Sequence, residues 1–425
     1  MKNAEKVMIS NGVEAMWYDA SKFKKSVVSV SLFLPLECER TTLLRLVSGI
    51  ITQKTHDYKS YTELNARLNE LYGASISAGS TVIGDMQCVT FKATCLNDKY
   101  AGGEHILAEV TKLLCEMLFS PVITDGLFDS ESFESEKRLL CEDISAQLND
   151  KQVYASQRLY ENMYKDEPCG YSSLSGLKVA QSATNAQAVD AYRYMMKNAF
   201  VRINVLSAEP QDGIFDTFKA HFDSLSRNVD KCDATKRHIC QNEQPNVVTE
   251  YMDVTQGKLC LGFTANIGGS LHDCALLRVF SDMFGGGPYS LLFSNVREKQ
   301  SLCYYCSARP NFAKGTLCVA SGVLPENSEK ALCGITAELD KFKNGEVDEA
   351  LLETSKKSLL DSYSSMADSL SYIDVWHYSR TFLSDDSFES YRKEISAITL
   401  DEVLSLAKTV KLDTVFSLNV KEDKQ

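Results

Sequence analysis

The sequence predicts an α+β protein made of two homologous domains, each a mainly antiparallel sheet faced by helices. Three observations carry this. The segment LLRLVSGII, Leu43 to Ile51, is echoed downstream as LLRVFSDMF, Leu276 to Phe284. Strand-like and helix-like segments follow one another in the same order around both copies, which marks an internal duplication. Strands come in runs with separate helix pairs, a pattern of α+β rather than alternating βαβ architecture. The 425 residues are enough for two cores.

The elements run in order. A strand precedes each copy: VVSVSLFL (Val27 to Leu34) and KLCLGFTA (Lys258 to Ala265) are apolar and rich in β-branched residues. In the first copy Leu43, Leu44, Val47 and Ile51 fall on one helix face. A second helix-like segment follows, YTELNARLNELYGAS (Tyr61 to Ser75) and YSLLFSNVREKQSLCYYCS (Tyr289 to Ser307). Each leads into a strand pair around a polar turn, ISAGSTVIGDMQCVTFKATC and YYCSARPNFAKGTLCVASGV. Long amphipathic stretches come next, Ser135 to Met163 and Thr354 to Phe382, and a Thr-capped helix then runs into a closing strand in both halves. The expected domains are 1–225 and 247–425, joined by the polar linker SRNVDKCDATKRHICQNEQPN, Ser226 to Asn246.

Composition narrows the function. Hydrophobic residues make up 44% and charged residues 24%, as in a soluble globular protein. A net charge of −12 with no clustered basic face argues against nucleic acid as a partner. No window is long and apolar enough for a membrane span, and the start MKNAEKVMISNGV has no signal-peptide core, so a cytoplasmic protein is expected. The 14 cysteines are scattered through apolar runs, as reduced buried thiols are.

The duplicated layout, LNELYGAS in the first half and FGGGPYSLLFSNVREKQSLCYY (Phe284 to Tyr305) in the second resemble the pitrilysin/insulinase-type zinc peptidases, the M16 group. The resemblance covers nearly the whole chain. It implies two homologous α+β domains around a substrate chamber. Active members carry His-x-x-Glu-His on the first-half helix. Two His at i and i+4 share a helix face and grip zinc, and the Glu serves the metal-bound water as base. The corresponding positions here are Arg45, Leu46, Val47, Ser48 and Gly49. Neither His nor the Glu is present. The six His (His56, His105, His221, His238, His272, His377) include no pair at that spacing. The resemblance therefore implies an inactive bacterial member with no zinc and no other cofactor. Glu136 and Asp143, in EKRLLCED beside Glu142, are the carboxylates retained from the metal site; a solvated helix face explains them equally well.

The second half keeps Arg297 and Tyr304, spaced as the family's Arg/Tyr pair, which contacts substrate and supports a developing oxyanion. Gly285, Gly286 and Gly287 match the glycine-rich loop before it. In some two-subunit members the zinc motif and the Arg/Tyr pair lie on different chains. By that resemblance this chain is an inactive subunit that pairs with a zinc-bearing homologue or with itself, and binds peptide through Arg297 and Tyr304. Arg297 also reads as a surface ion-pair residue beside Glu298, and Tyr304 as a strand residue. The alternative function is a non-catalytic peptide- or protein-binding homodimer, with a resemblance to chains linked to elongation-factor modification.

Cys303-Tyr-Tyr-Cys306 is a lone CxxC at a strand start, where i and i+3 face opposite sides, and reads as two separate buried thiols. Gly285-Gly286-Gly287-Pro288 lacks the Gly-Lys-Ser/Thr of a phosphate loop. Ser21-x-x-Lys24 has no supporting partner motif, and there is no GxSxG.

Overall fold

The computed structural model describes residues 6–171, 174–229, 236–384 and 387–421. Residues 230–235 of the expected linker lie outside them. The chain forms two compact units. The first comprises Met1–Ser145, Ser175–Asp233 and Asp368–Thr381; the second comprises Ala146–Leu174, Ala234–Ala367 and Phe382–Gln425.

In the first unit the strands are β1 (Val7–Ser10), β2 (Val13–Asp19), β3 (Lys25–Pro35), β4 (Ser75–Ile83) and β5 (Met86–Leu96). A two-residue hairpin follows, β6 (Ile123–Thr124) and β7 (Leu127–Phe128), and then β8 (Phe200–Ser207). The main sheet has the order β1-β2-β8-β3-β5-β4, with β2 and β8 parallel and the other pairs antiparallel. β3 is central and buried on both faces, which is why it reads as a nearly unbroken apolar run. Val28, Val30, Leu32 and Leu34 join the apolar core beneath the helix Ile106–Phe119. On the other face Ser29 Oγ donates 2.5 Å to Asp374 Oδ1 on the helix Leu370–Ser379.

The second unit holds β9 (Asn246–Met252), β10 (Gly257–Thr264), β11 (Cys303–Asn311), β12 (Thr316–Val323) and β13 (Lys411–Val420). Their order is β11-β12-β10-β13-β9, with β9 and β13 parallel. This is the order and sense of β4-β5-β3-β8-β2. Here the helix Lys151–Met163 covers the sheet: Ala155 and Leu159 pack against Cys260, Cys318, Phe416 and Leu418. Met163 Sδ occupies the space that a Cβ on Gly262 would need.

The two long amphipathic stretches differ from the sequence expectation. Ser135–Met163 breaks at Asp150, whose carboxylate accepts from the amides of Gln152 and Val153 and starts a new helix. Thr354–Phe382 breaks between Met366 and Leu370. Each break sends the second helix into a unit other than the one expected from chain order. Compact units and chain halves therefore do not coincide.

Candidate functional site

The first-half helix, Cys38–Ile50, buries Leu43, Leu44, Leu46, Val47 and Ile50. Arg45 and Gly49 are less buried and look into a cleft of about 310 Å³. The helix Ser130–Asn149 brings Glu136, Leu140 and Asp143 to the same cleft, and Ala78, Gly79 and Ser80 of edge strand β4 close it. Positions i, i+4 and i+7 share a helix face, which is how both carboxylates arrive together.

The groups in this cleft satisfy one another. Arg45 Nη2 lies 2.7 Å from Asp143 Oδ2. Gln53 Nε2 donates to Glu136 Oε1 at 2.5 Å. Ser48 also lines the cleft, and its Oγ donates to the Arg45 carbonyl at 2.8 Å. The Glu136 carboxylate fills the space beside Gly49, where an added Cβ would strike it. Burial pushes the Glu136 carboxyl above its ordinary range, partly opposed by the Gln53 hydrogen bond.

Arg297 and Tyr304 line a second cleft of about 380 Å³, together with Glu298, Ser301, Leu302, Cys303, Leu324 and Asn327. Three backbone irregularities shape it. Leu292–Lys299 is a wide helical turn, closed by the Gln300 amide on the Asn295 carbonyl (3.0 Å) and the Leu302 amide on that of Val296 (3.1 Å). Wide turns of this kind recur at functional sites. Ser301 then takes a left-handed φ of 53°, which is costly for a residue with a Cβ. Finally β11 begins with a bulge between Cys303 and Tyr305. Arg297 stacks over the Phe293 ring at 4.4 Å and has Glu298 at 3.6 Å. Tyr304, the extra residue of the bulge, is 58% exposed. The surface ion pair and the strand position expected for these residues are both present, and both side chains also reach one cleft.

Residues 182–359 match the family of the peptidase M16 inactive domain. A relative in Bacillus subtilis strain 168, the probable inactive metalloprotease YmfF, is 27% identical over 409 residues, covering 96% of each chain. This chain is M16 peptidase-like. The crystal structure of a conserved protein from Enterococcus faecalis V583 matches this M16-like chain with a TM-score of 0.90 and 27% identity, over 100% of both chains. The peptidase M16 inactive domain from Pseudomonas fluorescens shares its fold, with a TM-score of 0.77 at 16% identity, over 100% of this chain and 99% of that one.

The zinc of active M16 peptidases does not fit the residues of the first cleft. Gly49 offers no donor, and Arg45 places a cation where a ligand would stand. The remaining donors are two carboxylates, each already hydrogen-bonded, without the nitrogen or sulfur ligands that zinc favours. Gly285 ends the helix Leu271–Gly285, and a Cβ there would meet the Ala308 amide of β11 at 2.7 Å. Gly286 caps that helix. Gly285, Gly286 and Gly287 are not among the residues lining the Arg297 cleft; Gly285 lets the helix end approach β11, and Cβ atoms at Gly286 and Gly287 would meet Asp282 and Tyr289. Sequence reasoning missed Gln53, which no periodic pattern links to a partner 83 residues away. It also missed the bulge, for which the sequence carries no glycine or proline signal at Cys303–Tyr305.

Proposed function

We propose that this M16-like chain is a non-catalytic subunit that pairs with a zinc-bearing homologue and contributes peptide-binding surface through Arg297 and Tyr304. The observation that carries this is the contrast between its clefts. In the first, the remnant metal carboxylates are tied up by Arg45 and Gln53. In the second, Arg297 and Tyr304 border open space. A guanidinium and a phenol at one cleft suit a peptide carbonyl or a developing oxyanion.

The matching strand orders of the two sheets support an ancestral duplication, with 1–225 and 247–425 as its repeats and 226–246 as the joint. The free thiols among the described residues support a reducing, cytoplasmic setting. No described helix is long and apolar enough to cross a membrane.

The test is peptide cleavage by the chain alone, by a zinc-bearing M16 chain of the same organism alone, and by the two together. The mixture is expected to cleave peptide far faster than either chain, with Arg297→Ala reducing that rate by about 10²-fold, the loss typical of one oxyanion donor. Equal rates for Arg297→Ala and wild type in the mixture would refute the lending role. Peptide binding without turnover in every mixture would favour a non-catalytic homodimer.

A further inference from the structure

The bulge at the start of β11 changes the geometry of the CxxC. Cys303 pairs with Val323, Tyr305 with Gly322 and Cys306 with Ser321, so Tyr304 is the extra residue. Cys303 and Cys306 are therefore two pleat steps apart instead of three, and both point to the buried face, while Tyr304 points out. The sequence expectation of thiols on opposite faces is corrected by this single inserted residue. Ser321 lies opposite Cys306 on the neighbouring strand, and its hydroxyl donates to the Tyr305 carbonyl at 3.0 Å. Cys303 is 9% exposed and opens on the Arg297 cleft; Cys306 lies behind it at 6%.

We propose that Cys303 and Cys306 are a redox-active thiol pair in the wall of the Arg297 cleft, with Cys303 attacking, Cys306 resolving, and a small-molecule disulfide as oxidant. The surroundings favour this division of labour. The neighbouring Cys306 thiol pulls the Cys303 pKa below the ordinary thiol value; burial opposes this, and the Arg297 charge assists. The same neighbour and burial push Cys306 up. Reactive thiols beside a resolving partner have this asymmetry.

The steps balance. The Cys303 thiolate attacks one sulfur of RSSR, forming Cys303–S–S–R and releasing RS⁻, which takes a proton from solvent. The Cys306 thiol loses its proton and attacks Cys303 Sγ, releasing a second RS⁻. The protein dithiol is oxidised by two electrons, and one disulfide is reduced to two thiols. Two strand steps are near the upper reach of a disulfide, so closure draws the bulge together beneath Tyr304. This chemistry stands whether or not the cleft binds peptide.

The full-length chain is equilibrated in glutathione/glutathione-disulfide buffers, alkylated, and the peptide spanning Cys303 and Cys306 is weighed. As the buffer becomes oxidising, both alkylation sites are expected to disappear together, and dithiothreitol is expected to restore them. In Cys306→Ser, glutathione is expected to remain attached to Cys303. At pH 7 Cys303, which opens on the cleft, is expected to be alkylated before Cys306. Two facts would overturn the proposal: full alkylation of both cysteines at every poise in the wild type, or no mixed disulfide on Cys303 in a folded Cys306→Ser chain.

Discussion

The Arg45 guanidinium holds the Asp143 carboxylate at 2.7 Å on the helix face that carries zinc ligands in active M16 enzymes. Arg45 stands at the sequence position that the resemblance assigns to a zinc ligand. The wild-type chain, dialysed against zinc and then against buffer, is expected to retain far less than one equivalent by elemental analysis. Stoichiometric retention would show that other donors assemble a site. Because the Asp143 side chain is 57% exposed, Arg45→Ala is expected to cost less than about 1 kcal/mol in a urea melt.

Gly49 and Glu136 occupy one space between them. Gly49→Ala forces the Glu136 carboxylate off Gln53 and is expected to cost about 1–3 kcal/mol, as overpacking does. Glu136→Ala in the same background removes the conflict, so the double variant is expected to recover most of that loss. Strictly additive urea midpoints would mean that the two positions do not compete.

Asp374 anchors the helix Leu370–Ser379 to the sheet of the first unit. It is fully buried and accepts from Ser29 Oγ (2.5 Å) and Asn204 Nδ2 (3.1 Å), with Lys92 Nζ at 2.9 Å. Asp374→Ala leaves Lys92 without its counter-charge and is expected to cost about 3–5 kcal/mol, read as a lowered urea midpoint. Asp374→Asn keeps the shape and part of the hydrogen bonding and is expected to cost less. A midpoint unchanged in the alanine variant would rule out the anchoring role.

His238 in the second unit lies between Glu167 on its Nδ1 side and Asp413 Oδ2, 3.2 Å from Nε2, with Lys314 Nζ 2.5 Å from Glu167. Burial lowers the imidazole pKa, but hydrogen bonds to Asp413 and Glu167 outweigh it, and the net shift is upward. A raised folded pKa means that the protonated His stabilises the fold fully below the ordinary value of 6.5, and that this contribution is lost as pH rises through the folded value. Burial raises the Asp413 carboxyl, but the His238, Thr414 and Cys240 hydrogen bonds bring it below its ordinary range. Its share is present above that range and lost in acid. The stability advantage of wild type over His238→Gln is therefore expected to be largest near pH 5–6 and to shrink toward pH 8–9 in paired thermal melts. An advantage that grows with pH would contradict the ion-pair reading.

The sequence by itself determined the central strands, the strand pairs that follow them and the first-half helix, but not β1, β2 or β9, and it carries no His-x-x-Glu-His. VVSVSLFL and KLCLGFTA lie in β3 and β10 because an apolar β-branched run has one economical use, a strand covered on both faces. The missing His at positions 45 and 49 needs no geometry to interpret. Tertiary structure alone decided where the second helix of each long stretch packs. Amphipathic periodicity marks the buried face of Lys151–Met163 and Leu370–Ser379, but it carries no information about which sheet covers that face. The filling of the first cleft was likewise a matter of space: Glu136, held by Gln53, occupies the volume that a side chain at position 49 would need. The thiol pair is the clearest case. Period-2 reasoning separates Cys303 from Cys306, and one bulged residue, visible only in the pairing of β11 with β12, brings them together.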